Sequence, residues 1–262
     1  MKPASNRLFL IDAAVIVLAS VAISLAASQL TFMTVFIPAL ILARLLAIAA
    51  VAKTEGTDLK AELVLLLICT LLGAFNDWNS VCNKKIYDYT VPTDLSFSTI
   101  PLWMLLYWGM ILRFIARLAR WAPLAPSERI SNTVGRGSWI IDNAAVKVSV
   151  ELLLVLGTRQ MIYRFYLDPL LSWIPFLGAL AVYPLLFGIT RHDLKLLGIF
   201  LIGGPAIEIL YIQAGGLHQY HLAWLAGVPL WIALWWLVIV LIWKDLAYRI
   251  ETGLRKAFRK ST

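Results

Sequence analysis

Charge is scarce in this chain: Asp, Glu, Lys and Arg make up only 15% of its 262 residues, against about a quarter in an ordinary soluble domain. With 61% hydrophobic residues and a mean hydropathy of +0.80, it has too little polar surface to cover a soluble fold, which excludes a soluble enzyme or binding module. Cysteine is nearly absent as well. Cys69 and Cys82 form no CxxC pair and Cys69 falls within an apolar run, so neither a disulfide framework nor a thiolate metal site is indicated. Histidine is limited to His192, His218 and His221, with no HExxH. This argues against the histidine-rich di-iron membrane hydroxylases and desaturases, and leaves His218 and His221 as a poor metal set. No metal and no cofactor is expected. The sequence also lacks a Walker A loop, a Rossmann fingerprint and a GxSxG elbow, which leaves nucleotide-driven transport and serine-hydrolase chemistry without support.

What is present is long apolar runs. They fall at about residues 8–28, 31–52, 61–76, 98–119, 140–160, 169–190, 194–214 and 225–246. Lipid offers no partner to an open backbone, so each is expected to be a helix. Lys2 and Arg7 before the first run resemble a signal peptide, but the run's length and its immediate successor favour an uncleaved first span. The 23 basic residues against 15 acidic ones are read as topology and contact with anionic lipid, not as a nucleic-acid surface. With the N-terminus inside, only Lys84, Lys85, Arg159 and Arg164 fall in outer loops, and Arg44 and Lys147 lie within spans. Every other Lys and Arg is then inside, which predicts both termini in the cytoplasm and a location in the bacterial inner membrane.

An internal repeat organises the chain. Asp77 is followed by Tyr89 and then by Pro101-Leu102-Trp103, ending at Trp108. Glu208 is followed by Tyr220 and then by Pro229-Leu230-Trp231, ending at Trp235-Trp236. The spacing from carboxylate to tyrosine is 12 residues in both halves. Asp58-Leu59-Lys60 and Asp193-Leu194-Lys195 open the helices that lead to the two carboxylates. The expected fold is all-α, a polytopic membrane protein of about eight transmembrane helices arranged as two parallel four-helix pseudo-repeats. Residues 1–120 form the first repeat, 121–139 a basic cytoplasmic linker, 140–248 the second repeat and 249–262 a basic cytoplasmic tail.

A carboxyl group kept from water retains its proton near neutral pH and can donate it, and intramembrane acids are functional candidates by default. Asp77 and Glu208 are therefore the candidate catalytic pair; the competing role is to accept hydrogen bonds from Tyr89 and Tyr220 and fix the fold. Tyr89, Trp103, Trp108, Tyr220, Trp231 and Trp235 are candidate substrate contacts, because indole faces attract cations. The competing role for the tryptophans is membrane-interface anchoring. Lys147 and Glu151, one helical turn apart, read as a structural ion pair. Pro205 in Gly203-Gly204-Pro205 is expected to break its helix one turn before Glu208.

The stretch Glu208, Gly215-Gly216, Tyr220 and Gly227-Val228-Pro229-Leu230-Trp231-Ile232-Ala233-Leu234-Trp235 resembles the membrane-embedded carotenoid hydratases of bacteria and archaea. More distantly, the duplicated layout resembles the small lycopene cyclases and the fungal-type membrane terpene cyclases. This chain carries Pro-Leu-Trp where the lycopene cyclases carry Pro-x-Glu-Glu. The resemblance implies an isoprenoid substrate, carotenoid or terpenoid, hydrated or cyclised by acid catalysis within the membrane. The alternative is a non-enzymatic transporter or lipid-handling protein with a carboxylate-lined cavity.

Overall fold

The structure, a computed structural model, describes residues 5–124 and 143–259. Most of the expected cytoplasmic linker 121–139, with Arg129 and Arg136, lies outside the described residues, as do Lys2 and the end of the basic tail. Among the described residues there are eight α-helices: α1 (Asn6–Ala26), α2 (Leu30–Glu55), α3 (Leu59–Trp78), α4 (Leu102–Leu118), α5 (Ala144–Phe165), α6 (Ile174–Phe187), α7 (Arg191–Gln213) and α8 (Leu230–Arg259). Each overlaps one of the eight apolar runs. Five are long and apolar enough to cross a membrane: α1, α2, α3 with its π-helical extension to Asn83, α7 and α8.

Local chemistry sets the helix starts. Ser5 caps α1 by accepting the Leu8 N–H, and Asp58 caps α3 by accepting from Lys60 and Ala61. Asn143 does the same for α5, and Thr190 with Asp193 forms a capping box on α7. These groups satisfy amides that the first helical turn leaves without partners. Asp58 and Asp193, matched in the repeat, thus both cap, the first from the N-cap and the second from the third helical position. Gly56 ends α2 with a φ of +60°, a conformation that costs glycine nothing.

Large apolar side chains cover the outside as well as filling the core, and several charged groups are buried. Leu10, Leu25, Val35, Phe75, Leu153 and Ile202 face outward, whereas Asp12, Arg44, Glu62, Asp77, Arg113 and Glu151 are buried. That pattern fits a lipid surround, in which charge is tolerated only inside the bundle. Helix α8 is central and packs on α3, α4, α5, α6 and α7. The two most extensive pairings, α3 on α4 and α7 on α8, share one device. A Cβ on Gly73 would lie 2.5 Å from Trp108, and one on Gly204 would lie 2.5 Å from Trp236. Each glycine stands one turn before the carboxylate of its half, so the same close approach of indole to backbone occurs in both.

One end of the bundle is tied by a buried ion network. Arg44 donates to Asp12 at 2.7 Å and to Glu62 at 2.6 Å; Arg113 and Arg117 converge on Glu62, and Arg117 also holds Asp12. Glu251 of α8 takes Arg120 at 2.6 Å and Arg255 at 2.7 Å. Helices α1, α2, α3, α4 and α8 are joined there. A second cluster surrounds Lys147, which reaches Asp245 of α8 and lies 3.5 Å from Glu151, while Lys244 bridges Asp245 and Asp193. The expected Lys147–Glu151 pair is therefore the minor part of an interhelical network.

Three local expectations are corrected. Helix α7 runs unbroken through Pro205; Gly204 locked under Trp236 shows how tightly that turn is packed against α8. Arg159 belongs to α5, not to an outer loop, and is buried. The fold is also not purely helical: β1 (Tyr87–Tyr89) and β2 (His218–Tyr220), in the loops after α3 and α7, pair antiparallel with Tyr87 opposite Tyr220, Asp88 opposite Gln219 and Tyr89 opposite His218.

Candidate functional site

The β1–β2 ladder brings the two carboxylates together. Asp77 is the penultimate residue of α3, and Glu208 lies in the last turns of α7. Each helix is followed by a strand whose first and third residues turn back toward its carboxylate. Those residues are Tyr87 and Tyr89 in the first half, and His218 and Tyr220 in the second. Asp88 and Gln219, equivalent in the repeat, pair with each other. The register centres on that pair, with the outer residues of each strand facing the opposite ends of the other.

The two halves use this frame differently. Asp77 is fully buried and accepts two phenolic protons, from Tyr87 on Oδ1 and from Tyr89 on Oδ2 at 2.8 Å. Both of its oxygens are taken. Glu208 accepts only from Tyr220, at a long 3.4 Å. His218 Nε2 lies 3.2 Å from Glu208 Oε2 but is misaligned for a hydrogen bond, and neither ring nitrogen of His218 has another partner among the described residues. The rings of Tyr87, Tyr89, Tyr220 and His218 pack at centroid separations of 5.1–6.0 Å. Burial, reinforced by Asp77 beside Tyr87 and Tyr89 and by Glu208 beside Tyr220, pushes these three phenols well above the usual tyrosine range. They remain proton donors at any physiological pH.

The candidate tryptophans are distributed through the packing. Trp103 is fully buried in α4, and Trp108 covers Gly73. Trp231 stands edge-on to Tyr220 at 5.6 Å and stacks on Phe176 at 6.3 Å. Trp235 has the Arg159 guanidinium over its ring at 4.8 Å, and Arg159 is held there by Ser80 and Tyr163. The Trp235 face expected to meet a substrate cation already carries one. Trp231 reaches Glu208 through Tyr220, while Trp108 stands beside Asp77 itself.

Neither Tyr87 nor the hydroxyl cluster of Ser20, Tyr107 and Tyr211 is among the residues that the sequence offers for the site, and Arg159 is offered only as a basic residue of an outer loop or the border of a polar cavity. Tyr87 has a signal in the repeat, since it occupies the position of His218. The hydroxyl cluster has none, because each of its members is a lone polar residue within an apolar run, and nothing in Thr158-Arg159-Gln160 announces the contact of Arg159 with Trp235. A groove of about 400 Å³ opens between α1 and α7, with Ile207 and Leu210 in its wall. None of the candidate site residues lines it. Among the described residues no group of three or more His, Cys, Asp or Glu is placed to hold a metal, and His221 instead lies 3.6 Å from Asp88.

No family model matches the chain, and no curated protein matches it. Among solved structures, its fold is similar to that of MvINS, crystallised as a cross-linked trimer of a variant chain. The TM-score is 0.54 at 19% identity, over 74% of this chain and 95% of that one. What this comparison establishes is the fold: the chain is a helical bundle of the same architecture as MvINS over three quarters of its length.

Proposed function

We propose that the chain is an integral membrane enzyme of eight spans, arranged as two parallel four-helix repeats with both termini in the cytoplasm of a bacterial cell. It acts on a lipid-soluble isoprenoid by acid-catalysed hydration or cyclisation. The repeat is supported by the matched Gly73–Trp108 and Gly204–Trp236 contacts and by the β1–β2 pairing centred on Asp88 and Gln219. Residues 121–139 join the halves, and 249–262 form the cytoplasmic tail.

The catalytic reading rests on the contrast between the carboxylates. Asp77 has both oxygens committed to tyrosines, whereas Glu208 is buried, weakly hydrogen-bonded, next to an unpartnered imidazole and on the helix that walls a lipid-facing groove. Glu208 is the acid: its carboxyl proton forms a C–H bond with one alkene carbon, and the π pair is consumed as the neighbouring carbon becomes cationic. Water adds to that carbon, or an internal double bond closes on it, and the proton then lost returns to the carboxylate, with His218 positioned as carrier. Tyr220 and Trp231 border the reacting chain; Asp77, Tyr87 and Tyr89 hold the frame. No cofactor is required.

A second reading, a lipid-handling protein without chemistry, is favoured by one observation: Arg159 already occupies the Trp235 face, and Phe176 stacks on Trp231. The two separate in lipid extracts of cells expressing the protein or its Asp77→Asn, Glu208→Gln double variant. Catalysis gives a species heavier by one water, or an isomer of equal mass, only with the unaltered protein. Identical spectra at matched expression in an isoprenoid-producing host leave lipid handling.

A further inference from the structure

Among the described residues four arginines are buried. Arg44, Arg113 and Arg117 each meet a carboxylate at 2.6–3.2 Å. Arg159, the fourth, meets none, although only 5% of it is exposed. A guanidinium stays charged at any physiological pH, and a charge taken out of water without a counter-ion is costly. The contacts of Arg159 are all neutral. Nε and Nη2 donate to the Tyr163 hydroxyl at 3.2 and 3.0 Å, Nη2 also donates to Ser80, and the guanidinium lies over the rings of Tyr163 and Trp235 at 4.9 and 4.8 Å. These partners orient the group and attract it, but they do not cancel its charge. Nη1 has no hydrogen-bond partner among the described residues and is open to the surface, so its protons are spare for an incoming acceptor.

A second cation stands at the rim. Lys84 Nζ lies 5.9 Å from the centre of the same Tyr163 ring; Lys84 is exposed and belongs to no ion pair among the described residues. Ser80 and Lys84 come from the π-helical turn after α3 and its cap, whereas Arg159 and Tyr163 belong to α5, so two segments bring their cations to one tyrosine. Positive charge is scarce here. Lys84, Lys85, Arg159 and Arg164 are the basic residues that the sequence places toward the outer face, where the inward bias of Lys and Arg works against them. The carboxylates nearest in sequence are turned elsewhere: Asp88 lies 3.6 Å from His221, and Asp168 caps the Leu170 and Leu171 amides.

We infer that Arg159, with Lys84 at its rim, binds the oxyanion head, a phosphate or carboxylate, of a lipid-soluble ligand. The anion supplies the counter-charge that the fold omits at Arg159 and provides from its own side chains at the other three buried arginines. Trp235 under the guanidinium and Trp231 one turn along α8 lead to Tyr220 and Glu208, so a head held at Arg159 sets the start of the ligand's chain beside the acid. The inference deepens the proposed function and rests on it for the isoprenoid nature of that chain; the anion site itself stands on Arg159 and Lys84.

The test uses the full chain in an uncharged detergent, with binding read by native mass spectrometry. Farnesyl phosphate and farnesol share a chain and differ in the head, and phosphatidic acid carries the same head on a phospholipid. Farnesyl phosphate should bind about 10- to 100-fold more tightly than farnesol, the worth of a charged hydrogen bond. Arg159→Gln should erase most of that preference, and Lys84→Gln, at an exposed position, should reduce it about two- to fivefold at low salt only. Because Arg159 leaves no carboxylate stranded, Arg159→Gln should keep the melting temperature of the ligand-free protein nearly unchanged while abolishing the rise that farnesyl phosphate produces. Equal binding of farnesyl phosphate and farnesol to the unaltered protein, or an undiminished preference in Arg159→Gln, would overturn the inference. Displacement of farnesyl phosphate by phosphatidic acid, dependent on Arg159, would support the head-group site and make a phospholipid its source. Arg159-dependent binding of farnesyl phosphate without conversion would remove the catalytic reading and leave the site standing.

Discussion

The two ends of this bundle treat buried charge in opposite ways. At one end Asp12, Glu62 and Glu251 are each gripped by two or more arginines at 2.6–3.2 Å, and five helices depend on that grip. At the other end two carboxylates meet three tyrosines and the His218 imidazole, with no Lys or Arg in ion-pair contact among the described residues. Within that second end the contrast repeats on a smaller scale, since Asp77 accepts a phenolic proton on each oxygen and Glu208 accepts one long hydrogen bond. A structural polar group is one whose hydrogen-bonding capacity is used up; a group left with capacity to spare is the one available for chemistry.

Perturbing this gradient should give effects that fall in order. Glu62→Gln removes the hub of the ion network, leaving Arg44 and Arg117 to share Asp12 and Arg113 with only a 3.9 Å contact to Glu251, so thermal unfolding in detergent should show a loss of about 3–5 kcal/mol. Asp77→Ala strands the Tyr87 and Tyr89 hydroxyls in a dry interior at about 1–3 kcal/mol each, and the same assay should place it close behind. Gly73→Ala and Gly204→Ala each push a methyl into an indole and should cost about 1–3 kcal/mol. Equal losses would support the equivalence of the two halves, and a large inequality would break it. Alkaline pH acts on the phenols. Because their folded pKa values are raised, their contribution is fully present below the unfolded tyrosine value of about 10 and is lost as pH rises through the folded values. Melting temperature should therefore be insensitive to these groups up to about pH 10 and fall above it.

Much of this architecture is written in local patterns. Each of the eight helices described overlaps an apolar run, and five of them are long and apolar enough to cross a membrane; caps such as Asn143 and Thr190 decide where helices start, whereas α8 continues past its run, which ends at about residue 246, as far as Arg259. The spacing from carboxylate to tyrosine places Tyr89 on Asp77 and Tyr220 near Glu208, since the residues and the turn between them are close in sequence. Long-range relations are not legible in that way. The pairing of β1 with β2 joins segments from opposite halves, and the Arg159–Trp235 contact joins α5 to α8; no periodicity encodes either. The helix through Pro205 shows tertiary packing overriding a local preference. The Ser20–Tyr107–Tyr211 cluster draws one hydroxyl from each of three helices, so no single stretch announces it.

The central claim is that Glu208 is free for chemistry while Asp77 is bound to structure. It is tested most directly by purifying Glu208→Gln beside the unaltered protein, measuring unfolding and isoprenoid conversion on the same samples. Stability should change by less than about 1 kcal/mol, because the glutamine oxygen can still accept from Tyr220 and only the 3.2 Å contact with His218 is altered, and conversion should vanish. Conversion that persists at the unaltered rate, or a stability loss as large as that of Asp77→Ala, would contradict the claim.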